Sequence, residues 1–173
     1  VHEDTDVSGT AIRAERYDAT GVRIDSATIL SDPGAPVLNN PKVAVDLADN
    51  SFFVTYEFHD GNDDTIRGRK FDAAMNLVGA EAILRTDEDP TNTLVTGDPR
   101  RQDTAALTNG GFVTVFDEAD INAGLNDTGI EVRLSNADGS NGVNRTVTGL
   151  NGVQDTNARV AALSDGGFVV VWV

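Results

Sequence analysis

Cysteine is absent from the 173-residue chain. That excludes disulfide staples and thiolate metal sites, and it leaves the redox compartment undetermined. Basic residues are scarce: 13 stand against 28 acidic ones, for a formal net charge of −15 and a pI near 4.2. A field of that sign repels phosphates, so nucleic acid is not expected as a partner. It suits a secreted or surface protein in a salty medium, where screening shortens the reach of self-repulsion. Long apolar runs are missing as well. The longest, residues 166–173, falls far short of a membrane span, so membrane insertion is not expected. No stretch carries a helical apolar stripe between caps. No GxSxG, HExxH, Walker A or GxGxxG fingerprint occurs, and the chain is expected to be non-enzymatic.

What is present is a repeat. One segment occurs three times, at residues 47–56, 107–116 and 163–172. Each copy reads as a strand end, an Asx/Gly turn, and an apolar β-branched strand closing on an aromatic. Asn109-Gly110 and Asp165-Gly166 supply the positive φ such turns need. Matched Phe52, Phe112 and Phe168 are spaced by 60 and then 56. A second segment recurs out of phase at residues 12–19, 66–73 and, more worn, 130–137, with matched Ile12, Ile66 and Ile130 spaced by 54 and then 64. Its alternation of long charged side chains with Ile, Ala or aromatics predicts a strand with one wet face. A weaker fourth strand follows around residues 26–30, 81–84 and 145–147.

Four strands per unit at this period predict an all-β fold of tandem antiparallel meanders, resembling β-propeller blades, with a β-sandwich as the alternative. The units divide as a half-blade at 1–38, repeats at 39–98 and 99–150, and a half-blade at 151–173. On this reading the chain opens on the third strand type and closes on the second, so its end pairs are complementary. Self-association through those strand pairs, as a closed ring or a filament, is the expected partner mode.

The DGGFVVVW pattern of residues 165–172, its partner at 110–116, and the Asp60–Asp64 loop leading into residues 66–73 resemble tandem repeats of large secreted bacterial proteins of the RTX-associated, adhesin-like, calcium-binding kind. The resemblance implies an extracellular or cell-surface structural module, with calcium as a cofactor and no activity of its own. The sequence departs from that pattern in places. The glycine-rich nonapeptide of calcium-binding β-rolls is absent, Asn50-Ser51 replaces the glycine pair, and Asn157 stands where the first copy has Pro41.

Strand order gathers one acidic loop edge: Glu57, Asp60, Asn62, Asp63 and Asp64; Asp117, Glu118, Asp120, Asn122 and Asp127; Asp87, Glu88, Asp89 and Asp98; and Glu3, Asp4 and Asp6. Hard cations need six to eight oxygens, and clustered Asp and Asn supply them. Asp60, Asn62, Asp64, Asp117 and Asp120 are therefore the candidate calcium ligands. Asp60-x-Asn62-x-Asp64 opens like an EF-hand loop but then carries Thr65 at the glycine position and Phe71 at the bidentate position. A solvated acidic rim is the competing reading. His2 and His59 are expected as exposed loop residues. Tyr56, Phe116 and Trp172 are expected as core aromatics between units. A carbohydrate-binding, lectin-like propeller would use exposed aromatics, for which Tyr17 and Phe58 are the candidates. An accessory domain of a secreted hydrolase is the third reading.

Overall fold

The computed structural model describes residues 2–6, 9–25, 28–30, 37–59, 64–86, 101–120, 127–149 and 153–173. Among these, the chain forms strands and no helix. β1 (His2–Asp6), β2 (Gly9–Ala14) and β3 (Thr28–Ile29) make the first sheet. β4 (Val37–Val45), β5 (Phe52–His59), β6 (Asp64–Phe71) and β7 (Leu77–Thr86) make the second. β8 (Gln102–Ala106), β9 (Phe112–Asp120), β10 (Asp127–Ser135) and β11 (Asn141–Thr148) make the third, and β12 (Arg159–Ala162) with β13 (Phe168–Val171) the fourth. Each sheet is an antiparallel meander in sequence order. The leading strands β4, β8 and β12 lie beside one another, and the sheets stack face to face as propeller-like blades.

The register repeats with the sequence. Glu57 lies opposite Ile66, and Asp117 opposite Ile130. Glu3 lies opposite Ile12 in the same way, so β1 is the second half of a second-type strand. The first sheet thus has three strands where the sequence predicts two. Residues 2–6 read His-Glu-Asp-Thr-Asp and lack the β-branched run by which that strand type is recognised.

The turns explain the departures from the repeat. In the third and fourth sheets the first hairpin closes at Ala106↔Phe112 and Ala162↔Phe168, with Gly110 and Gly166 at φ of 82° and 92°. A Cβ on the next glycine, Gly111, would lie 2.6 Å from the Ser135 carbonyl oxygen. In the second sheet Asn50 holds φ at 59°, and the hairpin closes one residue wider, at Val45↔Phe52. That wider loop accommodates Ser51. A bulge between Asn39 and Lys42, with Asn40 at φ of 49°, takes up the shift in register.

Three apolar cores lie between successive sheets. The first joins Ile12, Ala14 and Leu30 to Phe52, Val54, Tyr56 and Phe71. The second sets Phe53, Ile66, Ala82 and Leu84 against Phe112 and Phe116, with Phe53 and Phe112 stacked at 5.0 Å. Gly68 gives Phe53 its room: a Cβ there would lie 2.3 Å from the ring. The third core sets Val113, Val115, Ile130 and Val132 against Ala158, Val160, Phe168 and Val170. Fully burying a side chain of this size stabilises by about 1.5–3 kcal/mol.

Stacking also corrects the wet-face expectation. Arg69 and Lys70 are buried, each 7% exposed, because each inner sheet is covered on both faces. Their charges are met locally: Arg69 by Glu81, and Lys70 by the Ala137 carbonyl.

Candidate functional site

The predicted acidic edge holds the ends of β5 and β9 and the chain leading into β8 and β12. Asp60 and Asn62 lie outside the described residues, as do Asp63, Asp87, Glu88, Asp89, Asp98 and Asn122. Asp64 opens β6, its backbone paired with His59, and Asp120 closes β9 opposite Asp127. Asp117 is buried, and its carboxylate accepts the backbone N–H of Asn157 at 3.1 Å and of Ala158 at 3.3 Å. It therefore clasps the third sheet to the chain leading into β12. Burial raises its pKa, and those two N–H groups oppose the rise. Among the described residues, no three His, Asp or Glu side chains converge in the manner of a metal site.

Glu57, at the matching position, works through intermediaries. Its Oε2 accepts from Asn40 Nδ2 at 2.9 Å, and the Asn40 carbonyl accepts from Gln102 Nε2 of β8 at 2.7 Å. One acidic position thus ties each inner sheet towards the next. The sequence carries a signal for it, an acid directly after the strand-closing residue in His2-Glu3, Tyr56-Glu57 and Phe116-Asp117, with Val173 following Trp172. His59 is half-buried at the end of β5, 3.9 Å from Glu57.

A second polar cluster has no signal in the sequence pattern. On the face of the second sheet towards the first, Tyr56 Oη donates to Glu81, Arg69 Nε donates to the same oxygen at 2.9 Å, and Arg67 Nη1 donates to the other at 2.9 Å. Burial, then the hydrogen bond to Glu81, pushes the Tyr56 phenol above its usual range, so it remains a donor. Arg67 also lies over the Phe58 ring at 3.4 Å, which takes Phe58 out of the set of free aromatics. Arg69 Nη1 reaches the Leu30 carbonyl of the first sheet at 3.3 Å, and Arg133 Nε reaches the matching Leu84 carbonyl at 3.0 Å. The cluster holds sheets together. Each of its charges already has a counter-charge or a carbonyl.

The fourth sheet differs from those before it. Val169 and Val171 are 46% and 57% exposed, where the matching Phe53, Thr55, Val113 and Val115 are fully buried. Tyr56 and Phe116 are core aromatics as expected, but Trp172 at their position is 42% exposed. Among the described residues, β13 pairs with β12 on one edge and with no strand on the other.

No family model matches the chain, and no curated protein sequence does. Among solved structures it is similar to an endo-arabinase from Bacteroides thetaiotaomicron VPI-5482, a β-propeller, with a TM-score of 0.52 at 15% identity. The likeness covers 95% of this chain and 60% of that one. At that identity it speaks for the fold, a run of propeller-like blades.

Proposed function

We propose that this chain is a non-enzymatic structural or adhesive β-repeat module of the cell exterior, acting by adding blade to blade through its terminal strands. The observation that supports this is the open fourth sheet. Its valines are exposed at positions that are fully buried in the two preceding sheets, and its outer edge is unpaired among the described residues. Apolar faces and strand edges of this kind are closed in soluble proteins by a further sheet or strand. Sedimentation velocity from nanomolar to tens of micromolar chain should show concentration-dependent association. Val171→Lys should reduce it, and a monomer across the whole range overturns the reading.

Calcium belongs to the same reading, at the acidic edge of Asp60, Asn62, Asp64, Asp117 and Asp120. A melting temperature higher in millimolar calcium than in chelator supports it, and no shift overturns it. A carbohydrate-binding propeller, or an accessory domain of a secreted hydrolase, is the second reading, favoured by the likeness to an endo-arabinase. A glycan array tests it, and binding there with no self-association would prefer it.

A further inference from the structure

We infer that the seam between the second and third sheets is a binding site for one internal water molecule, held by Thr55 Oγ1, Gln102 Oε1 and the Glu57 carboxylate. Thr55 and Gln102 are fully buried, and neither of these two oxygens has a hydrogen-bond partner among the described residues. Buried polar atoms are paired in folded proteins, with protein or with ordered water, because folding has already stripped their bonds to solvent.

Register brings the three side chains together. Thr55 and Glu57 stand two residues apart on the face of β5 that also carries Phe53, and Phe53 stacks on Phe112 of the third sheet. On β4 they lie opposite Lys42 and Asn39, either side of the bulge that holds Asn40. Gln102 enters from across the seam. Its Nε2 donates to the Asn40 carbonyl at 2.7 Å, and Asn40 Nδ2 donates to Glu57 Oε2 at 2.9 Å. The first of these bonds also orients the amide, so Oε1 is the end of Gln102 that accepts.

The fold does not demand polar side chains here. At the matching places of the next seam, Thr55 is replaced by Val115, Gln102 by Ala158, Thr104 by Val160 and Thr114 by Val170, and all four join an apolar core. Two members of the polar set satisfy each other: the Thr104 and Thr114 hydroxyls lie 3.2 Å apart, and Thr104 also reaches the Val113 carbonyl at 3.1 Å. Thr55 and Gln102 are what that pairing leaves over.

Water suits the donors and acceptors on offer. Gln102 Oε1 and the carboxylate only accept, whereas the Thr55 hydroxyl can donate. One water gives its two hydrogens to Gln102 and Glu57 and takes the hydrogen of Thr55, which makes the three bonds usual for an internal water. A carboxylate accepts from several donors, so this bond adds to the contacts Glu57 has with Asn40 and His59. A bare cation fits less well. Arg85 lies in the same row of the sheet, opposite Ile66, which is itself opposite Glu57, and its guanidinium is 6.0 Å from the Phe116 ring. The seam thus already faces a positive charge, and its occupant must donate as well as accept.

A high-resolution crystal structure of the chain tests this directly. One density peak is expected about 2.8 Å from Thr55 Oγ1, Gln102 Oε1 and a Glu57 oxygen. No peak, a direct Thr55–Gln102 bond in its place, or a peak with several oxygens at about 2.4 Å, as around a calcium ion, overturns the inference. A second measurement works in solution. Thr55→Val keeps the shape of the side chain and installs the residue of the matching place. Removing an orphaned hydroxyl should stabilise the fold, whereas removing a ligand of a bound water should destabilise it. The expected result is a folding equilibrium constant about fivefold smaller in a urea melt. Valine's own preference for strands acts in the opposite direction, so it cannot produce that loss. An unchanged or larger constant overturns the inference.

Discussion

Asp117 is a buried carboxylate near the end of β9 whose two acceptor contacts are both backbone N–H groups. It sits on the acidic edge, at a position where the sequence pattern points to a cation ligand, and its carboxylate clasps the chain leading into β12. Replacing it with Ala leaves the Asn157 and Ala158 N–H groups without their acceptor. That should cost about 1–3 kcal/mol in a urea melt, and Asn, which keeps one acceptor oxygen, should cost less. The pH dependence has a defined sign. Burial raises the folded-state pKa above the ordinary 3.8, so folding disfavours the ionised form. The group's contribution is complete below 3.8 and is lost as pH rises through the raised value. Wild type should therefore gain most over Asp117→Asn at the acid end of a series from about pH 3 to 7, with the gain shrinking upward. A gain that grows with pH would show that the two N–H bonds outweigh burial. The turn carboxylates Asp18, Asp72 and Asp138 have the opposite sign, their pKa values lowered by bonds from their own turns, so each pH needs its own paired comparison.

Between elements, the recurring device is an arginine of the third strand reaching the preceding sheet. Arg133→Met keeps the apolar stem and removes the bond to the Leu84 carbonyl. The expected loss is about 1.5–3 kcal/mol, the usual worth of a hydrogen bond to a charged group, read as a lower urea midpoint. An unchanged midpoint would mean that this bond adds nothing to the joint between the second and third sheets, which the Gln102–Asn40 and Lys70–Ala137 bonds and the apolar core then hold. The strands and hairpins were legible in the sequence because their causes are local. Gly110 and Gly166 mark turns, and the run from Phe112 to Phe116 marks a buried strand whatever lies beside it. The arginine contacts were not legible. A charged side chain at Arg69 reads as wet until the neighbouring sheet is placed over it, and that neighbour lies 39 residues away in the chain at Leu30. β1 was hidden for a related reason. Its identity lies in the pairing of Glu3 with Ile12, while its composition is that of a loop. Of the candidate site, the acidic position was legible and its role was not, because a carboxylate that binds a cation and one that caps backbone N–H groups have the same sequence.

For the molecule as a whole, the charge of −15 opposes both the stack of sheets and any joint between copies. Part of it lies at turns, exposed at Asp18, Asp49 and Asp138 and half-buried at Asp72. The repulsion is therefore screenable, whereas the Glu81 cluster, with Arg69 at 9% side-chain exposure, is sheltered from salt. Raising ionic strength from about 0.01 to 0.15 M shortens the screening length from about 30 to 8 Å. Self-repulsion between turns then fades while the inter-sheet pairs persist, so the melting temperature should rise with sodium chloride. Association should strengthen over the same range, since each copy repels the other. A melting temperature that falls with salt would mean that exposed ion pairs such as Arg23–Glu15 contribute more than the excess charge costs. The same titration separates screening from a specific cation. Calcium chloride at matched ionic strength should give only the sodium curve if the acidic edge is a solvated rim. Any rise above that curve, saturating with calcium concentration, belongs to a bound ion.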